Sequence, residues 1–219
     1  MGMSSRGPLE RSVNTADIHR LVVGISGASG VVYGIRLLQV LRDFAELETH
    51  LVVTAAAKRT IIEETDLAVD EVEALATRAY SDRDIGASIA SGSFKTIGMV
   101  IAPCSIKTLS AVAYTHADTL LARAADVTLK EGRPLIALLR ETPLHLGHLR
   151  AMVALAEAGG VLIPPMPAFY NRPQSIDDLI NHTIGRVLDR LGLPQSLVKE
   201  WQGTVHLEPT RRGGPEEEP

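Results

Sequence analysis

Residues 21–34 read LVVGISGASGVVYG, and this stretch indicates the fold of the whole chain. The apolar residues 21–25 predict a buried strand, and the small residues 26–30 predict a tight turn. A helical pattern begins again at Val32. A strand, a small-residue turn and a helix together present backbone N–H groups and a helix N-terminus to a phosphate group. The stretch therefore predicts that a nucleotide or another phosphorylated cofactor binds at this turn.

The composition predicts one globular domain. The chain has 219 residues, of which 45% are hydrophobic, and this is enough for one well-buried core. We expect this domain to span residues 20–203, between a flexible leader at 1–19 and a disordered tail at 204–219. The leader lacks the apolar core of a signal peptide, and no apolar run approaches the roughly 20 residues of a membrane span.

Charge and cysteine content narrow the functional classes. The net charge of −4 disfavours a nucleic-acid binder that relies on bulk positive charge, so a bound phosphate needs a few placed cations. Cys104 is the single cysteine, which excludes an internal disulfide and suits the reducing cytoplasm. We expect a cytoplasmic protein that binds neither nucleic acid nor membrane.

Further apolar runs alternate with amphipathic segments after the first strand. They lie at 50–54, 97–102, 134–139 and 161–163. This alternation predicts an α/β fold with a doubly wound parallel sheet of the Rossmann or flavodoxin type. Residues 70–96 predict only a short helix near 72–76, followed by a polar loop.

Polar residues follow several of the predicted strands, where ligands bind in parallel sheets. These positions are residues 26–30, Thr54, residues 104–108, Arg140 with Glu141, and the loop that holds Tyr170. Ser105, Asp118 and Ser175 are the predicted helix caps. We expect the ligand site at this one edge of the sheet.

The glycine spacing argues against a dinucleotide. Gly24, Gly27 and Gly30 form G-x-x-G-x-x-G rather than G-x-G-x-x-G, and Thr54 ends the second strand where a ribose-binding acid is expected. By themselves these glycines could equally serve tight packing between strand and helix. The hydroxyl pair of Ser105 and Thr108 at a second helix start favours a mononucleotide phosphate.

Six segments in this order resemble the UbiX flavin prenyltransferase family. They are GISGASG (24–30), ASGSF (90–94), PCSIKTLS (103–110), RAADVTLKEGRP (123–134), RETPLHLGHL (140–149) and PPMPAFYNRPQSIDD (164–178). The resemblance covers roughly residues 20–201. It implies a metal-independent transfer of a dimethylallyl group from dimethylallyl monophosphate to N5 and C6 of reduced FMN. The product is prenylated FMN, the cofactor of UbiD-type decarboxylases, and the resemblance also implies a large homo-oligomer, often a dodecamer.

The resemblance implies a set of FMN-binding residues. They are Gly27, Ala28, Ser29, Thr54 (where many relatives have serine), Ser105, Ile106, Lys107, Thr108 and Arg140. Ser29, Glu64 and Glu141 are implied to manage protons during the reaction. Without the family, a glutamate at a helix end is usually only solvated, and Arg140 could be a surface cation.

The prenyl phosphate is implied to bind a second set of residues. They are Arg123, Lys130, Tyr170 and Arg186, with Trp201 in a C-terminal segment that can close over the site. The seven-residue spacing of Arg123 and Lys130 places them on one helix face, which by itself is more typical of a solvated basic stripe. A packing role is the alternative for Tyr170 and Trp201. Some of these residues are implied to serve the flavin of a neighbouring subunit.

Two other functions share part of this pattern. A flavin-dependent decarboxylase acting on a cysteine-derived acid carries a proline–methionine–asparagine motif, whereas the loop here reads PPMPAFY. A non-catalytic FMN carrier has no need of Glu64 and Glu141. No metal is expected, because His145 and His148 lack a third ligand nearby and the helix dipole explains acids such as Asp177.

Overall fold

The computed structural model describes residues 19–198, which form a six-stranded parallel sheet. The strands are β1 (His19–Ile25), β2 (Leu47–Val53), β3 (Arg78–Ser81), β4 (Gly98–Cys104), β5 (Leu135–Leu139) and β6 (Val161–Leu162). The helices are α1 (Val31–Leu41), α2 (Ala55–Glu64), α3 (Val69–Glu73), α4 (Ile106–Ala113), α5 (Leu120–Lys130), α6 (Leu146–Glu157) and α7 (Ile176–Leu191), with a 3-10 turn at Ser88–Ala90.

Strand side chains alternate between two apolar cores, one on each face of the sheet. In β4, Val100 and Ala102 enter the core shared with α1, α2, α3 and α7. Met99 and Ile101 enter the core shared with α4, α5 and α6. Both faces are covered, which explains the continuous apolar runs. The predicted doubly wound α/β fold is confirmed.

The strand order β3-β2-β1-β4-β5-β6 reverses direction between β1 and β4. The helix after β1 packs on one face and the helix after β4 on the other. A crevice therefore opens between the two connecting loops, and ligands of open α/β sheets bind in this crevice.

Most local predictions agree with the structure, but the short helix predicted near 72–76 lies at Val69–Glu73, and three further differences are present. The sequence predicts no strand at 78–81, but β3 pairs in register with residues 50–53 of β2. Thr119, and not Asp118, caps α5, because the Thr119 Oγ1 accepts the N–H of Ala122 at 3.3 Å. His19 already belongs to β1, one residue before the expected domain boundary. The leader up to residue 18 and the tail at 204–219 lie outside the described residues.

The caps at Ser105 and Ser175 are confirmed, as is the helix at 55–64. Among the described residues, no helix has the length and apolar character needed to cross a membrane.

Candidate active site

The turn after β1 lies at the reversal of strand order. Gly27 and Ala28 are half-buried there, and Ser29 is exposed. A side chain at Gly27 would clash with Ala56 at the start of α2, and Gly30 adopts a left-handed φ of +96°. Gly27 is therefore needed for close packing against α2, and Gly30 for its backbone conformation. Neither glycine requires a bound phosphate to explain it, in agreement with the packing interpretation.

Glu64 binds the N-terminus of α1. Its Oε2 accepts hydrogen bonds from the N–H of Gly30 at 2.8 Å and from the N–H of Val31 at 3.1 Å. The carboxylate therefore lies where a phosphate would meet this helix, and its charge repels a second anion. This contact disfavours the phosphate site that the turn at 26–30 predicts. It also shows that Glu64 is more than a solvated helix end.

The N-terminus of α4 offers the better fit to a phosphate. The Ser105 Oγ accepts the N–H of Thr108 at 3.2 Å and donates to the Thr108 Oγ1 at 3.1 Å. Ser105, Ile106 and Thr108 are half-buried, Lys107 is exposed, and the first turn contains no acidic residue. N–H groups in a first helical turn have no acceptor within the helix. Hydroxyls, N–H groups and one cation suit a phosphate monoester.

Ser26 connects these two loops. Its Oγ accepts the N–H of Ser105 at 2.7 Å and donates to the carbonyl of Pro103 at 2.9 Å. The sequence prediction does not include Ser26 among the site residues. A hydroxyl placed directly after a buried apolar strand is the signal that could have indicated it.

Thr54 caps α2 and holds the end of β2 against the first turn. Its Oγ1 accepts the N–H of Ala57 at 3.2 Å, and its own N–H donates to the carbonyl of Ile25 at 3.0 Å. The residue is half-buried, so it lines the same edge of the sheet as the turn after β1.

Arg140 and Glu141 follow β5 on the ligand edge. The N–H of Arg140 donates to the carbonyl of Cys104 at 3.0 Å, so the backbone of Arg140 lies beside the end of β4, the strand that leads into α4. Burial raises the pKa of Tyr33 on α1, and the nearby charge of Arg140 partly offsets this rise. Glu141 is half-buried, and its Oε1 accepts the N–H of Thr142 at 3.1 Å. A cation and a carboxylate thus lie on the ligand edge.

His182 connects Tyr170 with Arg186. The Tyr170 Oη is 2.9 Å from the His182 Nε2, and Arg186 follows His182 by one turn of α7. Burial lowers the pKa of His182, as does the charge of Arg186. His182 and Arg186 line a cleft of about 510 Å³ beside β6. The sequence prediction missed His182, although its spacing from Arg186 was a signal for a shared face.

Arg123 and Lys130 each form an ion pair on α5. The Arg123 Nη1 lies 2.8 Å from the Asp126 Oδ2, and the Lys130 Nζ lies 2.9 Å from the Glu131 Oε1. The helix starts beside Asp82, at the carboxyl edge, and ends just before β5 begins. Eleven residues extend about 16 Å. Lys130 therefore lies at the amino edge, and one chain does not bring it to the N-terminus of α4.

Three further features of the sequence concern the predicted site. Trp201 lies outside the described residues. Within residues 19–198, no group of three His, Cys, Asp or Glu side chains is arranged to hold a metal ion. Cys104 is buried, and burial raises the pKa of its thiol to about 12, as for an unreactive core residue.

Comparison with known proteins identifies the family. The Flavoprotein family profile matches residues 9–185. The flavin prenyltransferase UbiX of Escherichia coli strain K12 is 61% identical over 186 residues, which cover 84% of this chain and 98% of the relative. The chain belongs to the UbiX flavin prenyltransferase family.

Two solved structures of UbiX-type proteins have the same fold. AnUbiX (PadA1), in complex with FMN and dimethylallyl pyrophosphate, is 44% identical with a TM-score of 0.84, over 86% of this chain and 100% of that one. A dodecameric FMN-dependent UbiX-like decarboxylase from Escherichia coli O157:H7 is 48% identical with a TM-score of 0.82, over 84% of this chain and 100% of that one. The resemblance to the UbiX family seen in the sequence is confirmed.

Proposed function

We propose that this chain transfers a dimethylallyl group from dimethylallyl monophosphate to N5 and C6 of reduced FMN, without a metal ion. One observation of the site carries the proposal: Glu64 fills the N-terminus of α1, while the N-terminus of α4 is left open beside Arg140 and Glu141. This arrangement suits a mononucleotide phosphate next to a cation and a carboxylate. It agrees with the family to which the chain belongs.

FMN would be held by its phosphate at α4. The hydroxyl of Thr108 and the N–H groups of Ile106 and Lys107 supply donors, the Ser105 hydroxyl orients that of Thr108, and Lys107 adds positive charge. The turn of Gly27, Ala28 and Ser29 forms a wall of the same crevice, and Thr54 and Arg140 line its sides. Bound reduced FMN supplies the nucleophilic N5 and C6 positions.

The prenyl phosphate would bind partly to a neighbouring subunit. Arg186 lines the cleft beside β6 together with His182, which contacts Tyr170, whereas Lys130 lies at the far edge of the sheet. A phosphate bound by Arg123, Lys130, Tyr170 and Arg186 therefore requires a second copy. We propose a homo-oligomer, with a dodecamer as the expected state, since a dodecameric relative exists. Size-exclusion chromatography with light scattering measures this directly.

We propose that three side chains handle protons. Glu141 is half-buried beside Arg140, which suits a carboxylate that exchanges a proton with the departing phosphate. Ser29 is exposed on the crevice wall. The carboxylate of Glu64 is held beside it by the N–H of Gly30, the residue after Ser29. We assign to Glu64 the assistance of proton removal at flavin C6.

The activity is tested by incubating the purified protein with reduced FMN and dimethylallyl monophosphate in the presence of EDTA. Mass spectrometry should show one C5 unit added to the flavin. Dimethylallyl pyrophosphate should be run in parallel, because AnUbiX was crystallised with it. Release of CO₂ from a cysteine-derived acid with no flavin mass gain would instead identify a decarboxylase, and FMN binding with neither product would identify a carrier.

Glu141→Gln tests the assigned chemistry. The variant should bind FMN as the wild type does but form product at least about a hundredfold more slowly, since one acid–base group typically contributes about 10²–10⁴-fold. Unchanged turnover would remove Glu141 from the mechanism. We propose a UbiD-type decarboxylase as recipient of the product, and a cytoplasmic location, which suits a chain with a single cysteine.

A further inference from the structure

Ser26 is a fully buried hydroxyl at the base of the crevice between β1 and β4. Its exposed fraction is 0%, and it directly follows Ile25, the last residue of β1. Polar groups buried this deeply are kept only where they form hydrogen bonds. Ser26 belongs to the turn after β1, but its hydroxyl contacts the end of β4 and the residue that caps α4.

The hydroxyl of Ser26 uses both its donor and its acceptor. It donates to the carbonyl of Pro103 at 2.9 Å and accepts the N–H of Ser105 at 2.7 Å. The Ser26 N–H also donates to the carbonyl of Pro103, at 3.2 Å. The paired register of β1 and β4 runs only from Leu21 and Gly98 to Gly24 and Ile101. Beyond that point, Ser26 connects the two strand ends.

The bond to Ser105 determines how α4 begins. Ser105 is the cap of α4, and its own side chain contacts both the N–H and the hydroxyl of Thr108. Ser26 thus holds the backbone of the residue whose side chain organises the first turn of α4. A shift of the Ser105 backbone would move every donor of that turn relative to the wall formed by Gly27 to Ser29.

We propose that Ser26 is a positioning residue for the phosphate of FMN. It sets the distance and orientation between the two walls of the crevice, and it acts through Ser105 without touching the ligand. This inference rests on the proposed FMN site at 105–108. It predicts that the Ser26 hydroxyl matters for a flavin that carries a phosphate and not for one that lacks it.

The experiment compares FMN with riboflavin, which has no phosphate, as ligands of the full-length oligomer. Ser26→Ala leaves the N–H of Ser105 without its acceptor, and we expect FMN to bind about tenfold more weakly, with riboflavin affinity changed less than about twofold. Ser26→Thr keeps the hydroxyl and should restore most of the FMN affinity. In turnover assays, Ser26→Ala should raise the KM for FMN with kcat within about threefold of wild type.

Thr128→Val is the matched control. Thr128 is also a buried hydroxyl that donates to a backbone carbonyl, that of Ala124 at 2.7 Å, but it lies on α5 away from the crevice. The Thr128→Val variant should be less stable than the wild type, with an unchanged ratio of FMN affinity to riboflavin affinity. The proposal is wrong if Ser26→Ala behaves in the same way. Ser26→Cys, with its weaker hydrogen bonds, should give an intermediate ratio, and it supplies the measurement should the alanine variant fail to fold.

Failure of the function and failure of this inference are distinguishable. A wild-type protein that does not prefer FMN to riboflavin refutes the phosphate site, and with it the role of Ser26. A wild type that binds FMN and prenylates it, together with an alanine variant of unchanged FMN preference, refutes the role of Ser26 alone.

Discussion

Replacing Glu64 with alanine should destabilise the fold by removing the carboxylate that caps α1. Its Oε2 accepts two N–H groups, at 2.8 and 3.1 Å, across 34 and 33 residues of sequence. Loss of a helix cap costs about 0.5–2 kcal/mol, and loss of a charge at the positive end of a helix about 0.3–1 kcal/mol. We therefore expect a loss of about 1–2 kcal/mol, or about 2–4 °C in Tm for each kcal/mol.

Urea unfolding of the two variants Glu64→Ala and Glu64→Gln measures this loss. The glutamine keeps an acceptor and removes only the charge, so it should cost about 0.3–1 kcal/mol. Glu63→Ala is the matched control, because Glu63 is also exposed at the end of α2 and its side chain has no hydrogen bond among the described residues. Its stability should stay within about 0.5 kcal/mol of wild type.

Added sulfate provides a second measurement. In Glu64→Ala the N–H groups of Gly30 and Val31 lose their acceptor, so an inorganic anion can bind at the start of α1. Such binding stabilises the folded state by mass action, and the gain should exceed the general salt effect seen in Glu63→Ala. Equal urea midpoints for the alanine variants of Glu63 and Glu64, with equal responses to sulfate, would refute the capping role.

Three further predictions concern the rest of the fold. Burial lowers the pKa of His50 below its usual 6.5, the charge of Glu48 opposes this, and Arg20 and Arg78 add to it. The unfolded chain therefore binds a proton on His50 at a higher pH than the folded chain does. As a result, the stability that neutral His50 contributes to the fold is fully present above about pH 6.5 and is lost as the pH falls through the folded pKa. His50→Asn should flatten the dependence of urea stability on pH between about 5 and 7, and an unchanged slope would exclude His50 as its source. Because burial raises the pKa of Cys104 to about 12, a thiol reagent near pH 8 should label the folded chain orders of magnitude more slowly than the urea-unfolded chain. Comparable labelling rates would contradict the buried position. Ser175 accepts the N–H of Asp178 at 3.1 Å and donates its own N–H to the Asp178 carboxylate at 3.0 Å. Ser175→Ala should therefore cost about 1 kcal/mol, and Ser175→Asp, which keeps an acceptor, should cost less.

Local patterns in the sequence predicted most of the elements. Ser105 and Ser175 were identifiable as caps because a cap binds an N–H only three residues away, so the signal lies within one turn. The buried strands were visible as apolar runs, since both faces of the sheet are covered. Thr119 and Asp118 were harder to separate, because they are adjacent and both are good capping residues.

Strand β3 shows where local patterns fail. Three of its four residues are exposed, so no apolar run marks it. It is a strand because the edge of β2 offers backbone groups with which it pairs. That partner lies some 28 residues earlier, and no short window of sequence contains both.

By itself, the sequence determined the doubly wound fold and the family, and it predicted the edge of the sheet at which the site lies. These follow from the spacing of apolar runs and from motifs, which are properties of short segments. Only the tertiary structure decided that Glu64 fills the start of α1, that Ser26 fastens the start of α4, and that Lys130 lies at the far edge. The physical reason is that a hydrogen bond requires atoms to meet within about 3 Å. For residues 34 or 79 positions apart, the order of the strands decides whether they meet.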